Sequence, residues 1–120
     1  MLNSGGYYAV AYKNGFVPVK IFAITETEAT TLYHITIFTG LYDRIEQIPP
    51  PDEHDYLVEH VAVVARIFEQ EILHFMQNYP VFADEENLYR IWKDDWNNTQ
   101  AVYYALRFEE LLPALCAGGN

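Results

Sequence analysis

Glu71 and His74 stand three residues apart, and on a helix that spacing brings both side chains to one face, within reach of a single metal ion. A dinuclear carboxylate centre needs the E-x-x-H pair twice, with two further inward glutamates, and the chain holds no second copy. We therefore expect no metal and no cofactor. His34, in a run of alternating apolar and polar residues, is the other candidate acid or base, and a satisfied structural histidine is its plainer role. His60 falls on the same helical stripe as His74 but fourteen residues away, about 21 Å along a helix axis, so the two cannot hold one ligand.

Nucleophilic chemistry has little to work with. Ser4 is the only serine and sits near the N-terminus, where nothing would hold it rigidly against a base. Cys116 is the only cysteine and has no basic neighbour to lower its pKa; alone it can form no internal disulfide, which fits a reducing compartment and a cytoplasmic protein. No glycine-rich phosphate loop occurs. Asp84, Glu85 and Glu86, with Asp94 and Asp95, lack the glycine and spacing of a calcium loop, and helix capping with solvation accounts for them.

The same carboxylates point instead to a surface. Tyr89, Trp92 and Trp96 are interleaved with Glu85, Glu86, Asp94 and Asp95, and rings with polar tips beside carboxylates can receive Arg and Lys through charge-assisted bonds and cation-π contacts. The charge balance agrees. Of the formal −10, none arises in residues 1–41, where Lys13 and Lys20 offset Glu26 and Glu28. Fifteen carboxylates against five basic groups fall in residues 42–120. Seven scattered Lys and Arg argue against binding to nucleic acid or to an anionic membrane surface. No apolar run approaches a membrane span, and Met1–Gly6 carries no mark of a signal peptide.

The elements that must position these residues change in texture at the same place as the charge. Tyr7–Tyr12 and Phe16–Thr25 read as strands around the turn dipeptide Asn14-Gly15, and Thr31–Thr39 as a third. Pro18 cannot donate to a ladder, so the second strand either has an edge there or begins its regular pairing after it. In the third strand Tyr33, Ile35 and Ile37 share one face, and Leu32, His34, Thr36 and Phe38 the other. After Pro49-Pro50-Pro51 the spacing predicts a long helix over about 52–79, then shorter helices over about 84–93 and 100–112, and Gly118-Gly119-Asn120 should fray. One face of the long helix carries Leu57, Val61, Phe68 and Ile72. A second stripe of Tyr56, His60, Val63, Ile67 and His74 implies a sandwiched helix, either between the sheet and the later helices or against a second copy in a homodimer.

The expected fold is thus α+β: one domain over 1–120, with a three-stranded antiparallel meander (about 7–39) packed on a helical, acidic layer. The expected function is non-enzymatic. An acidic, aromatic helical face (Glu85, Glu86, Tyr89, Trp92, Asp94, Asp95, Trp96) would bind a basic partner, in the manner of an inhibitor or immunity-type protein that neutralises a nucleic-acid-binding effector. The alternative is a small enzyme or ligand-binding domain with a pocket between sheet and long helix, using Glu71 with His74, or His34.

Overall fold

The computed structural model describes residues 2–98 and 100–117, so the expectation for Gly118-Gly119-Asn120 lies outside it. β-branched and aromatic residues build the first hairpin, β1 (Gly6–Tyr12) with β2 (Gly15–Glu26), and β3 (Thr31–Phe38) pairs antiparallel on the other side of β2. The two turn residues are Lys13 and Asn14, one position earlier than expected, and Lys13 takes a positive φ of 52°. Gly15 is needed for a different reason. Phe16 and Tyr42 exchange backbone hydrogen bonds beside it, and a Cβ on Gly15 would stand 2.6 Å from the Tyr42 carbonyl oxygen. Pro18 behaves as its chemistry requires: it lies opposite Ala9 of β1, and the β2–β3 ladder starts at the next residue, Val19.

The meander is the middle of a larger sheet, not the whole of it. Tyr56–Val64 is a strand, β4, antiparallel to β3, and Leu73–Asn78 is a strand, β5, antiparallel to β1, which gives the order β4-β3-β2-β1-β5. The long helix expected over 52–79 does not exist. Between the two strands there is only one helical turn, α1 (Ala65–Phe68), and the polar stretch after it is a turn. Tyr56–Val64 misleads because its inner half is buried on both faces, so the alternation that marks a strand becomes a continuous apolar run that also fits a helical template. Four valines, 58, 61, 63 and 64, tip such a run towards extended backbone.

Two longer helices complete the fold: α2 (Ala83–Asn97) and α3 (Phe108–Ala117). The first extends the expected 84–93 helix by a further turn. The last starts eight residues later than the expected 100–112 and carries Pro113 inside it. Ala101–Arg107 is non-helical because Tyr104 pairs with the margin of β4: its N–H donates to Ala62 O, and its carbonyl accepts from Val64 N–H.

The sheet is covered on both sides. Val19, Ile21, Tyr33, Ile35, Ile37 and Val63 meet Phe68 of α1 and Phe108, Leu111 and Leu112 of α3. Opposite them, Leu32, Ala62 and Val64 meet Trp92 of α2. The split of β3 into two faces therefore holds, with its half-polar face roofed by α2. All the buried polar side chains among the described residues, Lys20, Thr25, His34, Thr36 and Glu85, lie between that face and α2. No helix among the described residues is long and apolar enough to cross a membrane.

Candidate functional site

The layer between the sheet and α2 is where polar chemistry is concentrated. Lys20, in the central strand β2, is fully buried, and its Nζ donates to Glu85 Oε1 at 2.8 Å and to the Pro80 carbonyl at 2.7 Å. The ammonium also sits 3.8 Å from the centroid of the Phe82 ring. Glu85 Oε1 accepts as well from the Phe82 backbone N–H at 2.8 Å, so one carboxylate neutralises the lysine and caps the start of α2. A charge this deep requires such a cage, since burying an unpaired ammonium is prohibitive.

A second network runs alongside it. The Thr25 hydroxyl lies 2.7 Å from His34 Nε2, and His34 Nδ1 lies 2.8 Å from His60 Nε2. Tyr89 and Trp92 of α2 set their rings against the His34 ring, with centroids 5.0 and 4.5 Å away. Burial foremost, then His60 and Lys93, pushes the His34 pKa down to about 3, and burial pushes His60 down to about 4. Both imidazoles are neutral at physiological pH. Neither network holds a carboxylate against a histidine, as an acid–base pair would require.

Both ends of α2 border an open cleft. At its N-terminal end a cleft of about 420 Å³ opens towards β3 and β4. Its charged lining is Asp52, Glu59, Asp84 and Glu85, with no lysine or arginine. Phe38, Tyr56 and Phe82 supply its aromatic walls. His54 also lines it; Nε2 donates to Thr39 O at 2.6 Å, while Nδ1 is buried with no hydrogen-bond partner. At the C-terminal end a shallower cleft of about 480 Å³ has Glu26 and Glu28 against Trp96 and Tyr103. Eleven residues of helix separate Glu85 from Trp96, about 17 Å of axial rise. A third cleft, beside Glu71, is mixed in sign, with Lys13 and Arg107 facing Glu71 and Glu109.

The seven residues expected to form one acidic, aromatic face divide between two sides of α2. Glu85, Tyr89, Trp92 and Trp96 turn towards the sheet; Trp92 is buried, donates its indole N–H to Val102 O at 3.0 Å and stacks on Trp96. Glu86, Asp94 and Asp95 are exposed. Spacings of three and four residues place the first four on one stripe, a signal readable in the sequence as packing.

The expected self-association stripe is dispersed, because it presumed a helix. Tyr56 is exposed on β4, His60 bonds to His34, Val63 is buried under α3, Ile67 packs beside the Trp92 cluster, and His74 lies on β5 against Phe16. The Glu71/His74 pair fails for the same reason. Glu71 sits in the turn before β5, where Oε2 accepts from Arg107 Nε at 2.6 Å and from Phe108 N–H at 2.9 Å. No group of three potential metal ligands occurs among the described residues. Three residues of consequence escaped the sequence reading: Lys20, Asp52 and Glu59. A lone lysine inside an otherwise apolar strand was the available signal for the first; nothing marked the other two, which enter the cleft only because residues 52–64 are not helical.

Comparison with known proteins finds no matching family model, no matching curated protein and no matching solved structure.

Proposed function

We propose that this chain is a non-enzymatic binding domain that receives the cationic groups of a basic partner, with the cleft at the N-terminal end of α2 as its principal contact. The observation that carries this is the lining of that cleft: four carboxylates and aromatic walls, with no lysine or arginine. Glu85 is already paired with Lys20, whereas neither salt bridge among the described residues involves Asp52, Glu59 or Asp84. A guanidinium or ammonium entering there would meet carboxylates for bidentate bonding and ring faces for cation-π contact. The second acidic cleft, with Glu26, Glu28 and Trp96, and the exposed Glu86, Asp94 and Asp95 extend the same field along α2. A net charge of −10 would steer a basic partner from a distance, as suits an inhibitor of a nucleic-acid-binding effector.

The test uses an arginine-rich peptide as probe, with an uncharged peptide of equal length as control. Binding should weaken steeply with added salt, and E59K with D84K should weaken it at least tenfold while leaving the melting temperature nearly unchanged. Reversal of Asp94 and Asp95 to lysine should matter less, since these two lie outside the cleft. Affinity that ignores both salt and E59K/D84K would refute the assignment.

A further inference from the structure

We propose that β5 is a dimerisation edge, on which the β5 strand of a second copy of this chain adds antiparallel to give one continuous ten-stranded sheet. The fold treats its two sheet edges very differently. An exposed edge invites pairing with another chain, and stable monomers blunt it with charges, proline or a covering segment. On β4 the inner half is covered by the Tyr104 segment, which bonds to Ala62 and Val64, and the outer half carries Glu59, with Asp55 just before the strand. Among the described residues β5 has neither device. From Ile72 to Ala83 the chain holds no Asp, Glu, Lys or Arg, and its only proline, Pro80, comes after the strand.

The backbone of β5 is poised for a partner. Ile72 turns its carbonyl to Ala11 N–H, and Ala9 lies opposite His74 in the same ladder. Alternation then points the N–H and C=O of Leu73 and Phe75 away from the sheet. Antiparallel pairing of Leu73 with Phe75 of the second copy, and of Phe75 with its Leu73, makes both residues hydrogen-bonded pairs across a two-fold axis. The side chains agree with that register. Leu73 and Phe75 lie opposite Val10 and Tyr8, on the face that carries the α3 core, and the Phe75 ring meets Tyr8 edge-on at 5.5 Å. Phe75 is 56% exposed and Ile72 67% exposed, and a second copy would cover the aromatic side chain with a cross-strand aliphatic neighbour.

Charge selects the occupant. Two copies of a chain at −10 repel wherever their acidic surfaces meet, so self-contact is favoured at an edge that carries no charge. A basic partner would gain nothing electrostatic there and is drawn to the acidic clefts instead. The two surfaces are independent, and either can fail alone.

Sedimentation equilibrium across a wide concentration range tests this on the full chain. The wild type should dimerise, and F75K, which sets like charges near one another across the axis, should raise the dissociation constant at least tenfold while keeping the wild-type circular dichroism spectrum. F75P, which removes the outward N–H together with the ring, should do the same. Amide exchange should slow at Leu73 and Phe75 as the dimer forms. A monomer at every concentration would overturn the assignment, and so would a dimer that survives both Phe75 variants or one that leaves the Leu73 and Phe75 amides unprotected.

Discussion

His34 Nδ1 and His60 Nε2 lie 2.8 Å apart, so two neutral imidazoles share one proton between them. If His34 donates to His60, the Thr25 hydroxyl must donate to His34 Nε2. If His60 donates to His34, then His34 Nε2–H must donate to Thr25. Both arrangements satisfy the buried His34 ring, whereas protonating both rings would set two N–H groups against each other. Histidines in an unfolded chain titrate near 6.5, whereas these two are held down to about 3 and about 4. The unfolded state therefore binds more protons in the window between, and stability present above pH 6.5 is lost as pH falls. At pH 5 each histidine should cost about 2 kcal/mol relative to pH 7, while ordinary carboxylates remain ionised. Urea unfolding at pH 7 and pH 5 should show the loss, and H60Q, which keeps an amide donor for His34, should roughly halve it. Equal midpoints at the two pH values would contradict this linkage.

Lys20 and Glu85 form a second dependency in the same layer. Replacing Glu85 by glutamine leaves an ammonium with no exposure facing only a carbonyl, an amide and a ring, and should destabilise by about 3–5 kcal/mol. K20M strands the carboxylate less severely, because Glu85 borders the cleft and keeps the Phe82 N–H. In the double variant K20M/E85L no buried charge remains, and the cost should fall towards that of a lost helix cap, about 1 kcal/mol. A double-mutant cycle from chemical denaturation reads the coupling directly; additivity of the two single changes would show that the pair is not a unit.

The sequence disclosed the parts of the fold in which local pattern and tertiary context agree. β3 alternates cleanly, so its two faces and the side shared by His34 and Thr36 were readable. Pro18 marked where the β2–β3 ladder could begin, and Leu88, Ile91 and Trp92 have the helical spacing of α2, although Ile91 is exposed and Tyr89 takes its place towards the sheet. The failure at 52–79 came from a run buried on both sides, where the period disappears, followed by Glu69-Gln70-Glu71, a turn that resembles the polar face of a helix. A 28-residue helix without a strong cap was itself a warning. The Lys20 cage joins residues 65 apart, and the cleft joins the 52–59 segment to the start of α2. Contacts at such separation leave no local signature.

Glu71 shows how that misreading conceals a structural role. Its Oε2 accepts the N–H of Phe108, the first residue of α3, and the guanidinium of Arg107, so a side chain from the turn before β5 caps a helix 37 residues later. The 3₁₀-like start of α3, with Glu110 and Leu111 N–H both reaching the Arg107 carbonyl, leaves the Phe108 donor dependent on that carboxylate. E71A should therefore cost about 1–2 kcal/mol, the range of a lost N-cap, and E71Q less, since an amide oxygen still accepts. R107A should cost less than E71A, because the guanidinium is largely solvated and the cap survives without it. Phe108 and Leu111 are anchored in the core beneath α3, so the loss in E71A should be local: amide exchange accelerates at Phe108 and Glu109 before it does in β2 or β3. Uniform acceleration across the sheet, or an R107A defect as large as that of E71A, would show that the ion pair and not the cap is what Glu71 contributes.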